Sequence, residues 1–184
     1  MKKLILYFVY FFSLLLFTVF ATSLQTTLWY QLFGSIPGPL LWLLIICYIN
    51  IYKKPTEGIL LNYFLVIQIY FFGWLPIGFL WFLILILFGI TMFIKKRIFW
   101  GGPRYFLYAS TLSVVGYQIL YLLCSYFFES ISVRELDLFE RIFQIILTPL
   151  FSVPVYNFMK LLERWTDQVP LLETGEYTYE QSIY

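Results

Sequence analysis

The chain has 184 residues, of which 61% are hydrophobic and 12% charged, with a formal net charge of +2 and a mean hydropathy of +0.83. That mixture is far from that of a water-soluble domain. The basic residues flank apolar stretches instead of forming one stripe, which argues against nucleic-acid binding.

Lys, Arg, Asp and Glu are missing from 4–52, 58–94, 105–128 and 142–159, runs of 49, 37, 24 and 18 residues. A hydrocarbon core is crossed by about 20 apolar helical residues. The first two runs therefore suit two spans each and the last two suit one each. The expected fold is an all-α integral membrane protein, a six-transmembrane-helix bundle with membrane lipid around it. It occupies residues 1–165, and a tail follows over 166–184.

The first span is expected over 4–21. Lys2 and Lys3 precede it and Val19-Phe20-Ala21 imitates a signal cleavage site, but 18 apolar residues exceed the roughly 7 to 15 of a signal-peptide core, so a retained helix is expected. Leu24, Leu28 and Leu32 then recur every four residues beside Gln25 and Gln31, which predicts a short amphipathic helix on the outer membrane surface. Gly34 and Gly38 form a Gly-x-x-x-Gly match, but Pro37 lies inside it and marks a turn. Further spans are expected over 37–52 and 55–72, with Pro37 and Pro55 in first-turn positions where a missing N–H costs little. A tight turn at 73–78 leads to a fourth span over 76–94, and a fifth follows over 104–128.

Ser132-Val133-Arg134-Glu135 matches a capping box, so the sixth helix is expected to begin outside the membrane before spanning 141–160. Leu24, Gln25, Leu28 and Leu32 of the first outer connection, with Arg134 and Glu135 of the last, are candidate partner contacts. Pro149 and Pro154 are expected to kink or split the sixth helix, with Thr148, Ser152 and Asn157 re-satisfying freed carbonyls. No matching interruption is evident elsewhere. The tail after Trp165 holds Asp167, Glu173, Glu176 and Glu180 with Tyr177, Tyr179 and Tyr184, and reads as a mobile acidic segment.

With the N-terminus in the cytoplasm, Lys2, Lys3, Lys53, Lys54, Lys95, Lys96, Arg97, Arg104, Lys160 and Arg164 fall inside, and only Arg134 and Arg141 outside. The 12 basic residues thus divide 10 to 2, which places both termini in the cytoplasm.

Chemistry has few candidates. The chain has no histidine, and none of the expected spans contains a carboxylate. No catalytic, cofactor-binding or metal-binding residues are therefore assigned, no cofactor is expected, and an enzyme is disfavoured. The neutral polar residues within spans, Ser13, Thr18, Asn50, Asn62, Gln68, Thr91, Ser110, Ser113, Gln118, Gln144 and Asn157, are expected to hydrogen-bond between helices. Cys47 and Cys124 are expected as packing residues. The Phe and Tyr residues, scattered without a repeat, are expected to face lipid.

The order of features resembles the bacterial rod shape-determining protein MreD family. The resemblance rests on Leu24-Gln25-Thr26-Thr27, Pro37 opening an apolar helix, Lys54-Pro55 followed by Gly58, Leu75-Pro76-Ile77-Gly78, and a proline-bearing last helix at 148–154. It covers residues 4–165. Gly38 and Gln68-Ile69-Tyr70 stand where that family often carries acidic residues. The resemblance implies a non-enzymatic scaffold in the inner membrane, part of the cell-elongation machinery that directs peptidoglycan synthesis. It would contact an MreC-like single-span protein and, indirectly, MreB filaments and peptidoglycan synthases. The competing class is a small-molecule, vitamin-type substrate-binding subunit of a membrane transporter, which would need a polar pocket.

Overall fold

The computed structural model describes residues 2–72, 76–97, 102–124, 126 and 135–167, and the regular structure among them is helical. The chain opens with one long rod, in which α1 (Lys2–Ser23) runs through a π-helical turn (Leu24–Leu28) into α2 (Trp29–Phe33). Ser23, Leu28 and Trp29 keep right-handed helical angles, so no corner separates the pieces. The apolar rod Ile5–Phe33 is 29 residues long. This corrects the expectation of a helix closing at Ala21 and a separate surface helix after it. Thr22 and Thr26 donate their hydroxyls to the carbonyls of Thr18 and Thr22, each at 2.8 Å, so the polar residues are accommodated within the helix and do not end it. The rod stops at Gly34, whose φ of +64° suits glycine and whose N–H closes on Tyr30 O at 2.9 Å.

The next helix is shorter than expected. Residues 37–40 are not helical, and α3 (Leu41–Tyr52) has 12 residues, every one of them buried. At 1.5 Å per residue it is about 18 Å long, too short to cross a membrane alone. It forms the axis of the bundle, with α1, α4 (Pro55–Phe72), α5 (Ile77–Arg97), α6 (Pro103–Cys124) and α8 (Ser152–Trp165) packed on it. The position has a physical cause. Non-helical backbone at membrane depth leaves groups that lipid cannot satisfy, so such a segment must be enclosed by protein.

α4, α5 and α6 match the expected third, fourth and fifth spans to within a few residues, and each is long and apolar enough to cross a membrane. α7 (Glu135–Leu150) and α8 form a pair bent by 47° that makes a fifth candidate if taken as one broken span. The two prolines act differently. Pro149 lies in the last turn of α7 and removes a ladder hydrogen bond beside the break. Pro154 lies in the first turn of α8, where its missing N–H costs that helix nothing, but it cannot donate to Leu150 O as a continuous helix would require, so the two prolines bracket the split expected of them. Among the described residues, four helices are long and apolar enough to cross a membrane, or five with the bent pair as one span, around a short buried segment, the architecture of a helical membrane protein.

The helix ends rich in basic residues come together. Lys53 at the end of α3, Lys95 near the end of α5, Gly102 before α6 and Glu163 near the end of α8 are linked at one end of the bundle. Arg141 and the α2 rod tip lie toward the other. Residues 73–75, Ser132, Arg134 and the tail from 168 onward lie outside the described residues, as does the Glu135 side chain. Thr166, assigned to the tail by composition, instead folds onto α8, buried and donating its hydroxyl to Leu162 O at 2.8 Å.

Candidate functional site

Two polar assemblies lie at opposite ends of α3. The one at its N-terminal end is a joint between interrupted helices. Pro37 and Pro39 carry no N–H, which removes two donors from the stretch that would otherwise need partners. The donors that remain at the start of α3 are capped from elsewhere. Leu40 N–H donates to Thr148 Oγ1 at 3.0 Å, and Leu41 N–H donates to Gln25 Oε1 at 3.2 Å and to Pro39 O at 2.9 Å. The Trp29 indole N–H donates to Ile36 O at 3.0 Å. The π turn of the rod, the unwound 36–40 arm and the break between α7 and α8 therefore meet at one place.

Gly38 sits where the arm presses on the rod. A Cβ there would lie 2.9 Å from Gln25 O, 3.2 Å from Gln25 Cγ and 3.3 Å from Trp29 Cγ, so only glycine lets the two backbones approach this closely. Beside the joint is a cavity of about 310 Å³ whose lining includes Thr22, Gln25, Thr26, Tyr30, Trp42 and Gln144. Gln144 continues into a polar chain: Gln118 Nε2 donates to Gln144 Oε1 and Arg141 Nη1 donates to Gln118 Oε1, both at 2.9 Å, while the Arg141 guanidinium lies 4.0 Å from the Tyr121 ring centre.

The assembly at the C-terminal end of α3 is an ion pair buried against aromatic rings. Lys53 Nζ lies 2.9 Å from Glu163 Oε1, with side chains 6% and 2% exposed. Tyr48 O–H donates to Glu163 Oε2 at 2.7 Å, and the Lys53 ammonium stands 4.5 Å from the Tyr10 ring centre. Lys95 Nζ donates to Lys53 O at 3.2 Å. The rings of Tyr48, Tyr52, Phe106 and Tyr156 pack against one another with centroids 4.6 to 6.3 Å apart. These tyrosines are core, which corrects the reading of the aromatic residues as lipid-facing; Phe12, Phe71 and Phe93 do lie exposed. The assembly ties α3 to α1, α5 and α8 through charges that pair with each other instead of facing lipid.

Of the neutral polar residues expected to join helices, three sets do so. Asn62 Nδ2 donates to Asn50 Oδ1 at 2.6 Å between α4 and α3, Gln68 Nε2 donates to Leu15 O at 2.9 Å between α4 and α1, and Gln118 meets Gln144 between α6 and α7. Thr18, Thr91 and Ser110 instead donate to carbonyls of their own helices, a correction that follows from the short reach of a hydroxyl to the preceding turn, whereas Ser113 bonds Ala109 O of its own helix and also meets the Cys47 thiol of α3. Asn157 is exposed, and Ser152 Oγ is buried without a partner. Thr148 was expected to repair its own helix, yet its oxygen caps α3. Cys47 and Cys124 are free, buried thiols.

The candidate partner contacts divide. Gln25 is committed inward to Leu41 and Leu24 is partly buried, whereas Leu28 and Leu32 are exposed on one face of the rod. Arg141, expected only as an outer flanking charge, is drawn into the bundle by Gln118. The buried role of Glu163 escapes a reading by charge-free runs because it lies just past the last one. Its spacing from Lys53 is 110 residues, and only folding brings the two together. The second interruption is hidden for a similar reason, since Pro-Gly-Pro before an apolar run reads as an ordinary turn. No protein-family model, curated protein or solved structure matches the chain.

Proposed function

We propose that the protein is a non-enzymatic scaffold of the bacterial cell-elongation machinery, seated in the cytoplasmic membrane and acting through contacts with other membrane proteins. One observation carries this reading. Four of the residues on which the resemblance to the MreD family rests lie at joints of this bundle: Gln25 and Thr148 cap the start of α3, Pro37 lies in the arm between them, and Gly58 packs on α3 with Asn50 Oδ1 3.8 Å from where its Cβ would be. Residues that build a framework are what a protein acting by shape and contact needs.

In this reading the arm at 36–40 and α3 together form the second crossing. The helix supplies about 18 Å, and the arm, which ends in a tight turn closed by Leu41 N–H on Pro39 O, continues the path beyond it. Six crossings then leave the basic end, with both termini, in the cytoplasm. The exposed Leu28 and Leu32 face offers an outer contact for an MreC-like single-span partner, and MreB and peptidoglycan synthases are reached through that assembly. Copurification from mild detergent is expected to recover such a single-span protein, and deletion is expected to round the cells. Rods that persist after clean deletion would refute the proposal. A C-terminal reporter is expected to be active only on the cytoplasmic side; activity on the outer side would refute the six-crossing arrangement.

The cavity beside the joint favours a second reading, the small-molecule-binding subunit of a transporter. Gln25, Thr26, Tyr30 and Gln144 around about 310 Å³ suit a small neutral polar solute. Under that reading a ligand raises thermal stability in proportion to its occupancy; a panel of small polar metabolites that leaves the melt unchanged would remove it.

A further inference from the structure

The cavity beside the joint is bordered by two glutamines, and the fold fixes which end of each amide is left for a ligand. A carboxamide side chain accepts through its oxygen and donates through its NH2, so a partner that takes one end leaves the other. For Gln144 the choice starts at Arg141, because a guanidinium only donates. Arg141 Nη1 donates to Gln118 Oε1, Gln118 must then turn its Nε2 to Gln144, and Gln144 Oε1 accepts it, both bonds being 2.9 Å long. For Gln25 the choice comes from the backbone. The Leu41 N–H only donates, and Gln25 Oε1 accepts it at 3.2 Å. Both glutamines therefore keep an NH2 to offer. Neither nitrogen donates to another described residue, and neither is among the enclosed polar atoms that lack a partner, so both stay open.

Thr26, also on the cavity wall, offers the reverse. Its hydroxyl proton goes to Thr22 O at 2.8 Å, so the exposed side chain has lone pairs left and no donor. Trp42, Ile69 and Phe72 supply apolar wall, the Tyr30 hydroxyl can turn either way, and no charged side chain is among the described residues of the lining. Two open donors with one open acceptor, in a neutral setting, match a particular functional group.

We infer that the cavity recognises a small uncharged solute through a carboxamide or lactam group. The carbonyl oxygen of the solute accepts from the Gln25 and Gln144 amides, its N–H donates to Thr26 Oγ1, and its apolar body lies against Trp42, Ile69 and Phe72. A carboxylate would find donors here but no counter-charge, and it has no proton for Thr26. An ammonium has a proton for Thr26 but nothing for the glutamines to donate to. At about 310 Å³ the cavity stands at the small end of ligand pockets, which suits a single ring. This inference rests on the reading of the cavity as a small-molecule site and gives that site its ligand chemistry.

The test is saturation-transfer NMR and thermal melting of the full chain in detergent with benzamide, benzoate and benzylamine, which share one ring and differ in the group they present. Benzamide is expected to bind about fivefold more tightly than either of the others, the effect of one neutral hydrogen bond. Gln144→Glu still accepts from Gln118 but exchanges the NH2 for a second acceptor, and is expected to turn the preference over to benzylamine. Thr26→Val, at an exposed position, is expected to weaken benzamide about fivefold and leave benzoate unchanged. Benzoate or benzylamine binding as tightly as benzamide, or a benzamide preference that survives Gln144→Glu, would overturn the inference and leave the small-molecule site standing. Failure of all three compounds to bind would overturn both. Should Gln144→Glu fail to fold, Thr26→Val decides, and an unchanged benzamide affinity there would overturn the inference.

Discussion

Replacing Glu163 by Gln removes one negative charge and leaves everything else about the site close to its original shape. Tyr48 can still donate to the amide oxygen, but the Lys53 ammonium, 2.9 Å away and 6% exposed, loses its counter-charge in a place that water does not reach. With an effective dielectric of 20, two unit charges at that separation attract by about 6 kcal/mol, a gross figure that desolvation largely offsets. Removing one partner of such a pair costs about 3 to 5 kcal/mol, because the survivor stays buried and uncompensated. The Tyr10 ring and the remaining hydrogen bonds place the expectation at the lower end, about 3 kcal/mol. For a chain of this length that is a fall in melting temperature of about 6 to 12 °C. The assay is a thermal melt in detergent followed by tryptophan fluorescence, run as a double-mutant cycle with Lys53→Met. Each single variant is expected to be strongly destabilised and the double variant to recover part of the loss, with a coupling of about 2 kcal/mol. Additive single effects, or a Glu163→Gln protein that melts within about 1 °C of the original, would refute the reasoning that this pair is a dry, mutually dependent lock.

Thr148→Val keeps the shape but takes away the acceptor for Leu40 N–H, and is expected to cost about 1 to 2 kcal/mol in the same melt, with faster hydrogen exchange at the start of α3. Gly38→Ala places a methyl 2.9 Å from Gln25 O, a backbone atom that cannot step aside cheaply. Separation of the arm from the rod is expected, at a cost of about 1 to 3 kcal/mol, read as a lower melt together with altered Trp29 fluorescence. Asn62→Leu leaves Asn50 buried beside an apolar group and is expected to cost about 1 kcal/mol, while Ser23→Ala, with no side-chain cap bond to lose, is expected to leave the melt unchanged.

The sequence by itself determined the class and most boundaries, because hydrocarbon imposes a length and forbids charge over that length. α4, α5 and α6 were legible for that reason, as was the break between Pro149 and Pro154, where missing N–H groups are local events. The Gln118 and Gln144 bridge and the Asn50 and Asn62 pair were legible as types, since a polar side chain inside a span must find a partner. Which partner it finds is another matter. That Thr148 caps Leu40 and Gln25 caps Leu41, that α3 is a short axis enclosed by its neighbours, and that Glu163 closes on Lys53 were decided only by the tertiary structure. Local patterns record what each segment must satisfy, whereas the donor, acceptor or counter-charge that satisfies it comes from whichever distant helix packing brings within about 3 Å.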